Sequence, residues 1–595
     1  MTDGLYLGLN LGVDPTAALV SKGRLLAYAE EERHSRVKHA RNAYPIDAIR
    51  CCLEQAGASL SDITELVVNW DLEAASDGSI ARFFEAYNAT WPVDSATQAW
   101  QAANLGSRQL EAARTFHHNK LRREFADERL PPVRGLPHHF THAFHSFSQS
   151  KFDEALCLTI DGSGDTEATV LWRCDRDGIA EIYRREMPHS LGWFYAAITE
   201  YLGFEAYDGE YKVMGLAPYG IPDRDIAQKL RAIVTPDPDG IGYQVQGRYL
   251  HWGTHSFSTR FTDALPELLG RAPRTRSGDL DDWHMSLAYE AQRLLEQTVC
   301  HLVRWAVAAT GLRKVCVGGG VGLNVKMNQA LFEMAEVEDV FCNPLCSDNG
   351  AAAGSAFLAC HRAEGHWPEQ VRNLGLGAGD DPDLVEENLL RVGVRYEKLD
   401  DAPRAAAEAL AAGRIIAWVQ GRTEAGPRAL GCRSILADPR TIAARDQVNA
   451  AIKYRELWRP FCPSILAEEM PRYFERHTDA PYMVLAFKAK PALRAEAPAI
   501  VHSDGTARVQ SVDRADAPRF HALIENFGRL TGVPVVLNTS FNLKGEPIVN
   551  STLDALRTFF SSGLDELYLG DFVVRKASQT QRTQETQHRK PEFAA

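Results

Sequence analysis

His138-His139-Phe140-Thr141-His142-Ala143 is the stretch from which the fold of this chain is best read. His138 and His142 are four residues apart, so in a helix both imidazoles leave the same face about one turn apart. That spacing suits one divalent metal held by two neutral ring nitrogens. A bare His-x-x-x-His pattern is common by chance, so a surface helix with solvated histidines is the alternative.

A short apolar strand that ends in carboxylates follows the histidines. Residues 156–160 read Leu-Cys-Leu-Thr-Ile and run into Asp161-Gly162-Ser163-Gly164-Asp165. A strand ending in Asp and glycines delivers a carboxylate and open backbone to a site, which makes Asp161 a candidate third ligand. Asp348 precedes a stretch of small residues at an expected helix start. It is the candidate fourth ligand, with a helix N-cap as the alternative role.

Composition limits the class of protein. The 595 residues are too many for one ordinary core, so two or more domains are expected. The net charge of -13 argues against generic nucleic-acid binding, and no apolar run approaches the length of a membrane span. The N-terminus has no basic region of a secretory signal, and the 11 cysteines include no Cys-x-x-Cys pair. These features predict a cytoplasmic protein with reduced thiols.

Glycine turns follow two predicted strands. The first contains Asn10 and Gly12, and alone it fits an ordinary hairpin as well as a phosphate turn. The second, Gly318-Gly319-Gly320, lies between a buried strand and a helix, which favours backbone contact with a nucleotide or sugar over a simple tight turn. Lys212, beside a flexible Met-Gly-Leu segment, could hold a phosphate or be a surface residue.

The second half of the chain has its own charge pattern. Residues 421–460 hold eight Lys or Arg against four Asp or Glu, although the whole chain is acidic. Local positive charge in an acidic protein indicates an anionic ligand, most simply phosphate. A strand near 535 then delivers hydroxyls and amides to a loop at 538–542. Residues of about 80–130 are predicted to form a polar helical insertion or cap.

Eight short motifs in this order resemble the NodU/CmcH family of ATP-dependent O-carbamoyltransferases of natural-product and antibiotic biosynthesis. In the first half they are His138-His139-Phe140-Thr141-His142-Ala143, Asp161-Gly162-Ser163-Gly164-Asp165, Tyr211-Lys212-Val213-Met214-Gly215-Leu216-Ala217-Pro218-Tyr219-Gly220 and Gly318-Gly319-Gly320-Val321-Gly322-Leu323-Asn324. In the second half they are Gly426-Pro427-Arg428-Ala429-Leu430-Gly431, Lys453-Tyr454-Arg455-Glu456, His502-Ser503-Asp504-Gly505-Thr506-Ala507-Arg508 and Asn538-Thr539-Ser540-Phe541-Asn542. The resemblance covers nearly the whole chain.

The resemblance implies an α/β and α+β architecture. A duplicated actin-like (ASKHA) domain is expected over residues 1–370, a linker region over 371–400, a YrdC-like α/β domain over 401–575 and a polar tail over 576–595. The family makes carbamoyladenylate from carbamoyl phosphate and ATP in the YrdC-like domain. An acceptor hydroxyl then attacks its carbonyl in the actin-like domain.

The resemblance also implies three sets of site residues. Carbamoyl phosphate and ATP are assigned to Arg428, Arg433, Lys453, Arg455, Arg508, Ser540 and Asn542, with Arg428 and Lys453 also catalytic. The adenylate is assigned to Asn10, Gly12, Lys212, Gly318, Gly319, Gly320 and Asn324. The metal is assigned to His138, His142, Asp161 and Asp348. Iron is the metal associated with the family, so Fe(II) is expected here, with Mg²⁺ accompanying ATP. The ligand set alone does not select iron over zinc or manganese.

The chain departs from the family at Val13. The family carries a histidine there, directly before the Asp of the first turn, where it is a candidate general base. Valine cannot accept a proton, so His39 and His139 are the leading replacements, with His34 and Asp14 as further options. The metal could instead acidify the hydroxyl, the acceptor could be an amine, or the activity could be reduced.

Alternative functions follow from the same features. The chain could be a catalytically impaired protein that binds metal and nucleotide, or a tRNA-modifying transferase. The intact basic set argues against the first and the acidic balance against the second. The expected partners are carbamoyl phosphate and a hydroxylated small molecule such as a sugar, aminocyclitol or macrolide, with no nucleic acid and no membrane. A homodimer is one option for the oligomeric state, which the sequence leaves open.

Overall fold

The structure is a computed structural model that describes residues 3–105, 110–250, 260–453, 458–459 and 461–576. The strands are β1 Leu5–Asn10, β2 Thr16–Ser21, β3 Arg24–Glu30, β4 Ile63–Val68, β5 Val133–Gly135, β6 Glu154–Gly164, β7 Glu167–Asp175, β8 Ile179–Glu186, β9 Val234–Pro236, β10 Tyr243–Val245, β11 Lys314–Gly318, β12 Asp339–Cys342, β13 Tyr396–Lys398, β14 Ile416–Val419, β15 Arg433–Ala437, β16 Cys462–Leu466, β17 Ala486–Lys488, β18 Thr506–Arg508, β19 Gln510–Val512, β20 Val535–Ser540, β21 Glu566–Leu569 and β22 Phe572–Arg575.

The α-helices connect and cover these strands. They are α1 Glu31–Ser35, α2 Ile46–Ala56, α3 Leu72–Ser76, α4 Ser79–Thr90, α5 Ser95–Leu105, α6 Leu110–Glu124, α7 His138–Gln149, α8 Leu191–Tyr201, α9 Glu210–Leu216, α10 Arg224–Arg231, α11 Ala264–Leu269, α12 Asp282–Thr310, α13 Val325–Glu333, α14 Asp348–Glu364, α15 Pro382–Val392, α16 Ala402–Ala411, α17 Ile442–Val448, α18 Met470–Tyr473, α19 Pro491–Glu496, α20 Pro518–Thr531 and α21 Thr552–Phe560. None of the helices in these described ranges is both long and apolar enough to cross a lipid bilayer.

Two five-stranded sheets in the first half share one strand order. In the first, β3-β2-β1 is an antiparallel meander, and β4 and β5 extend it in parallel on the other side of β1. In the second, β8-β7-β6 is the meander, and β11 and β12 extend it in parallel. This repeated order is the duplicated actin-like arrangement, so that expectation is confirmed.

Close packing of α14 on the first sheet positions the start of that helix. A Cβ at Gly8 in β1 would lie 1.9 Å from the carbonyl oxygen of Ala352 in α14, so only glycine allows this approach. The alanines of α14 from Ala351 to Ala359 are fully buried, and the helix packs on the sheet and on α7. The run of small residues predicted to open a helix therefore lets α14 reach into the interior, and it carries Asp348 to α7.

The second half is built on one eight-stranded sheet in the order β13-β22-β21-β14-β15-β20-β16-β19. Helices α16 and α20 cover one face, over a core that includes Trp418, Phe520 and Phe527. Residues 371–400, expected as a linker, contribute more than a connection, because β13 pairs with β22 as the edge strand of this sheet. The three-residue strand is too short to leave a periodic signal among the glycines and charges around it.

The two halves pack against each other through side chains and backbone. Phe332 of α13 meets Phe487 of β17 edge to face, with ring centroids 5.4 Å apart. Asn328 donates through Nδ2 to the carbonyl of Val484 at 2.9 Å. The predicted insertion is helical, and α3 to α6 lie between the neighbouring strands β4 and β5. One large cavity is enclosed by the two halves and this insertion.

Candidate active site

Helix α7 presents the two histidines of the opening motif on one face. The helix begins at His138, whose backbone N–H donates to Asp165 Oδ2 at 2.9 Å. A carboxylate therefore satisfies part of the helix N-terminus. His138 and His142 are 0% and 1% exposed, and their Nε2 atoms lie 3.1 Å apart. Both rings thus direct a nitrogen into one small buried space.

Two carboxylates complete the cluster. Asp161 lies near the end of β6, and Asp348 is the first residue of α14. His138 Nε2 is 3.8 Å from Asp161 Oδ2 and 3.4 Å from Asp348 Oδ1, and the same distances from His142 Nε2 are 3.7 and 3.5 Å. Tetrahedral donors about 2.0–2.2 Å from a metal are about 3.4 Å from one another. The four donors therefore fit one divalent cation.

The charges of the cluster also fit a cation. Burial alone would lower the pKa of His138, but Asp348 and Asp161 more than offset that effect and raise the pKa above its ordinary value. Burial would raise the pKa of Asp348, but His138 and His142 outweigh it and lower the pKa. A proton is thus held where a metal would bind. Metal binding at such a cluster competes with protons, since the imidazoles must be neutral to ligate.

Backbone groups hold these ligands in place. His138 Nδ1 is 3.0 Å from the carbonyl oxygen of Asn69, which leaves Nε2 free for the cluster. Asp161 Oδ2 accepts from the N–H of Gly320 at 2.9 Å, and its Oδ1 from the N–H of Gly162 at 2.7 Å. The glycine turn after β11 therefore orients a carboxylate of the cluster.

The three glycines of that turn have different roles. A Cβ at Gly318 would lie 2.5 Å from Ser146 Oγ of α7, and one at Gly319, where φ is +85°, would lie 2.2 Å from the carbonyl oxygen of Ile160. These two glycines permit close packing and do not line the cavity, whereas Gly320 does. Of the three glycines, Gly320 is the one whose position agrees with the predicted backbone contact with a nucleotide, and that contact stays a prediction.

Two other predicted adenylate residues shape the cavity wall. Asn324 lines the cavity, caps α13 by accepting from the N–H of Met327 at 3.0 Å, and pairs with Gln292. Asn10 does not line it. Its Nδ2 donates to the carbonyls of Val13 and Asp14 at 2.8 and 3.0 Å and so fixes the first turn.

Gly12 and Lys212, both predicted to bind the adenylate, differ in whether they line the cavity. Gly12, with φ of +91°, lines the cavity in the first turn, as expected. Lys212 is absent from the described lining, and its Nζ lies 5.4 Å from the ring centroid of Phe204. Lys212 thus lies beside an aromatic ring and outside the described lining, which agrees with the alternative of a residue that does not bind phosphate.

The two candidate bases lie in different surroundings. His139 is 2% exposed, faces Thr159 with Nδ1 3.0 Å from Oγ1, and does not line the cavity. Burial lowers its pKa. Successive helix positions are about 100° apart, so His139 turns away from the face that holds His138 and His142. It cannot reach an acceptor.

His39 lines the cavity, and Asp14 holds it. Its Nδ1 is 2.8 Å from Asp14 Oδ1, and its Nε2 is 3.8 Å from Asp208 Oδ1. Burial alone would lower its pKa, but the hydrogen bond to Asp14 and the nearby carboxylate of Asp208 raise the pKa to about 9. His39 and Asp14 both have positive φ, 64° and 53°. Such strain in non-glycine residues persists where the surrounding structure enforces it, often at functional sites.

The opposite end of the cavity is basic. Arg428 lines it, and its guanidinium lies 4.9 Å above the ring of Tyr211. Its Nε and Nη2 are shielded from solvent and have no hydrogen-bond partner among the described residues. Burial and the neighbouring Arg508 lower its pKa to about 10, which still leaves it charged at neutral pH. Guanidinium N–H groups that are shielded from water and lack an acceptor indicate an anionic ligand.

Arg508, Ser540 and Arg459 line the same end. Arg508 contacts the cavity from β18, with Nε 2.8 Å from Cys462 Sγ. Arg459 belongs to the basic run at 421–460 but was not singled out from the sequence, because no motif distinguishes it from the other cations there. Arg455 lies outside the described residues.

Lys453 and Asn542 support the loop behind Ser540. Lys453 Nζ donates to the Ser540 carbonyl at 2.6 Å and to Asn542 Oδ1 at 2.8 Å, and Asn542 Nδ2 donates to the carbonyl of Glu546 at 2.7 Å. Neither residue lines the cavity. The two residues order the turn that presents Ser540, which differs from the direct contact expected of them.

The position of Arg433 contradicts the prediction that it contacts carbamoyl phosphate or ATP. It is 2% exposed and does not line the cavity. Its guanidinium donates to backbone carbonyls of Gln420, Gly421 and Asn550 at 3.1, 3.1 and 3.2 Å. These carbonyls would otherwise be unpaired in the interior, so the side chain is structural. A basic residue count cannot separate this role from phosphate binding.

A buried ion cluster joins the two ends. Arg33 Nη2 is 2.6 Å from Glu30 Oε2, and Nη1 is 3.0 Å from Glu32 Oε1. Arg33 also donates to the carbonyl of Gly426, two residues before Arg428, at 2.8 Å. Glu30 accepts from Asn349 Nδ2 at 2.8 Å, next to Asp348. The three-residue spacing of Glu30 and Arg33 was the available signal.

Both ends open into one cavity of about 1120 Å³. That volume exceeds the common range of about 300–1,000 Å³ for a single small-ligand site. The fold and this cavity define the class: a duplicated actin-like α/β protein joined to a second α/β half, with a candidate metal cluster and an anion-binding end facing one space.

Comparison with known proteins defines the family. A model described as Carbamoyltransferase N-terminus matches residues 6–357, and one described as Carbamoyltransferase C-terminus matches residues 407–576. The chain belongs to this carbamoyltransferase family.

Relatives agree with this assignment. The nodulation protein NolNO of Sinorhizobium fredii is 35% identical over 95% of this chain and 79% of its own length. The nodulation protein NolO of Bradyrhizobium diazoefficiens is 37% identical over 74% of this chain and 79% of its own. Among solved structures, HypF of T. kodakarensis is distantly similar, with 12% identity and a TM-score of 0.29 over 61% of this chain and 48% of HypF.

Proposed function

We propose that the protein makes carbamoyladenylate from carbamoyl phosphate and ATP and transfers the carbamoyl group to a hydroxyl of a small molecule. The observation that carries this proposal is Arg428, a half-buried cation whose Nε and Nη2 have no hydrogen-bond partner among the described residues, facing the same cavity as the four-donor cluster. One end is suited to holding phosphates and the other to positioning an acceptor. A single cavity allows the adenylate to move between them without leaving the protein.

Activation is assigned to the basic end. Carbamoyl phosphate loses phosphate to water and gives carbamate, whose oxygen attacks the α-phosphorus of ATP and displaces pyrophosphate. Arg428 and Arg508 hold anionic oxygens and offset their repulsion as the two reactants approach, with Ser540 as a neutral donor. Lys453 acts indirectly by holding the Ser540 turn. Mg²⁺ is proposed to accompany ATP.

Transfer is assigned to the other end. His138, His142, Asp161 and Asp348 would hold a divalent metal, proposed to be Fe(II), which when bound supplies Lewis-acid stabilisation of negative charge. Gly320 and Asn324 border the space for the adenylate. The acceptor oxygen attacks the carbamoyl carbon, its proton leaves to a base, and AMP departs. His39, oriented by Asp14, is the proposed base.

A second candidate is carbamoylation of an amine. Val13 lines the cavity at the position where the family has a histidine, and Asp14 and Asp208 raise the pKa of His39 to about 9. A protonated His39 cannot accept a proton, whereas a neutral amine attacks a carbonyl without one. Product analysis with matched alcohol and amine acceptors separates the two reactions, and added tRNA tests the tRNA-modifying alternative.

Pyrophosphate release tests the proposal directly. The purified chain is incubated with ATP and carbamoyl phosphate, and release is compared with that from ATP alone. Arg428→Met should reduce carbamoyl-phosphate-dependent release by roughly 10–100-fold, because a charge-assisted hydrogen bond to phosphate contributes about 1.5–3 kcal/mol. Arg404→Met, a control at an exposed arginine in α16, should leave release unchanged. Absence of carbamoyl-phosphate-dependent release by the unmodified protein would refute the proposal.

A further inference from the structure

One wall of the cavity is built by the insertion between β4 and β5. Helices α3, α5 and α6 lie in this insertion, and α3 packs against α6. On α6, the lining residues fall at 112, 113, 116 and 117, which is the spacing of one helix face. We call this wall the insertion arm, and its lining residues are Val68, Trp70, Leu72, Trp100, Ala112, Ala113, Phe116 and His117.

The described lining of the insertion arm has no charged group. His117 is its only titratable residue, and burial lowers the pKa of His117 to about 4, so the ring is neutral. Its Nδ1 is 3.0 Å from the hydroxyl of Tyr44. Phe116 is 47% exposed although it is a large aromatic side chain. Apolar surface facing a cavity gains free energy when an apolar ligand covers it.

The insertion arm begins at the metal cluster. The ring of Trp70 lies on His138, with ring centroids 4.8 Å apart. Asp161 and Asp348 line the cavity at the same place. A molecule lying along the arm would therefore have one end beside these carboxylates and the rest against the aromatic side chains.

Of the other carboxylates in the described lining, all except Glu210 lie beside a cation or an imidazole. Glu210 accepts from the N–H of Tyr207 at 3.1 Å, and burial raises its pKa to about 7. Arg33 holds Glu30 and Glu32, and Lys38 Nζ lies 3.2 Å from Glu32 Oε2. His39 occupies the space between Asp14 and Asp208. The acidic lining thus offers little unpaired charge to a polycation such as an aminocyclitol.

Resting on the proposed function, we infer that the acceptor is an uncharged alcohol with an apolar body, which lies along the insertion arm while its hydroxyl faces Asp161 and Asp348. The arm recognises a ring system or alkyl chain by shape and apolar contact. The cluster end selects the hydroxyl. Because the arm is an insertion between two scaffold strands, it sets specificity without altering the sheets that position the cluster.

Binding of matched glucosides tests this inference without catalysis. Methyl, phenyl and octyl β-glucoside carry the same hydroxyls and differ in their apolar group, and 2-deoxystreptamine is the cationic comparison. Binding to the full chain is measured by calorimetry, with octyl glucoside kept below its micelle concentration. We expect phenyl or octyl glucoside to bind at least about tenfold more tightly than the methyl compound, and 2-deoxystreptamine to bind no more tightly than the methyl compound.

Substitutions in the insertion arm test whether the preference for apolar glucosides arises there. Trp100→Ala and Phe116→Ala should each reduce the apolar preference several-fold while pyrophosphate release and the KM for ATP stay unchanged. Phe560→Ala is the matched control, since Phe560 is 46% exposed and lies on α21 outside the cavity lining. It should change neither quantity.

Several results would overturn the inference. These are equal binding of the three glucosides, tighter binding of 2-deoxystreptamine, and a preference that persists in both arm variants. A raised KM for ATP in the arm variants would place adenine there and also refute it. Failure of the proposed function gives a different pattern, in which apolar glucosides bind but no carbamoyl-phosphate-dependent pyrophosphate is released.

Discussion

His39 is held between two carboxylates, and this governs when it can accept a proton. Its pKa of about 9 means that it is mostly protonated at neutral pH. Loss of the proton is required for base catalysis, so the rate of transfer should rise with pH up to about 9, close to tenfold per pH unit below that value. The rate of pyrophosphate release should not follow this profile, because His39 is assigned to transfer alone.

Substitutions identify the group that causes the pH dependence of the transfer rate. Asp208→Asn removes one of the interactions that raise the pKa of His39, so the rising limb of the pH–rate profile for transfer should move to lower pH. His39→Gln should remove this limb. His366→Gln, at a half-exposed histidine outside the cavity lining, is the control. A limb that is unchanged in His39→Gln would exclude His39 as the base and favour the metal or an amine acceptor.

At the scale of elements, the contact between the end of β6 and the start of α7 decides whether a metal can bind. A Cβ at Gly164 would lie 2.1 Å from Cδ2 and 2.6 Å from Cγ of His138. Because His138 is buried with no room to retreat, Gly164→Ala should displace its ring. Outer contacts that orient a ligand commonly change metal affinity by about 10–100-fold.

Metal content measures this effect. Gly164→Ala and the ligand variant Asp348→Ala should both contain less metal than the unmodified protein by elemental analysis, and adenylate formation should survive in both. Gly178→Ala is the matched control, since a Cβ there meets nothing within 4 Å. Full occupancy in Asp348→Ala would contradict the ligand set. Full occupancy in Gly164→Ala alone would contradict only the steric argument.

At the scale of the whole molecule, Arg33 connects the two halves. It is 4% exposed, pairs with Glu30 and Glu32 from its own segment, and donates to Gly426 in the loop that carries Arg428. Arg33→Met keeps the bulk of the side chain but leaves the buried Glu30 without its cation, while Glu32 keeps Lys38, and loss of one partner of a buried pair costs about 3–5 kcal/mol. The variant should unfold at a lower temperature.

Arg33→Met should also weaken the coupling between adenylate formation and carbamoyl transfer. In Arg33→Met, transfer to the acceptor per pyrophosphate released should fall, because the loop of Arg428 loses its tie to the segment beside Asp348. Arg404→Met removes an exposed ion pair worth about 0.5 kcal/mol or less and serves as the control. An unchanged unfolding temperature together with unchanged coupling would show that the buried cluster does not connect the halves.

The sequence alone was sufficient for the features that depend on local pattern. Four-residue spacing placed His138 and His142 on one helix face, and the apolar run before Asp161 identified a strand end. Short motifs in order identified the duplicated fold and the family. The histidine face and the strand end could be predicted because helix and strand periodicity determine side-chain direction within one element, whereas the fold and the family were implied by the resemblance of the motifs.

Tertiary structure decided which of several equivalent residues faces the cavity. Arg428 faces it and Arg433, five positions later, does not, because the carbonyls of Gln420, Gly421 and Asn550 surround the second guanidinium. His39 reaches the cavity and His139 packs against Thr159. The insertion arm likewise exists only where α3, α5 and α6 meet the end of β4. Each outcome depends on groups distant in sequence, since buried donors and acceptors must find partners wherever the fold brings them together.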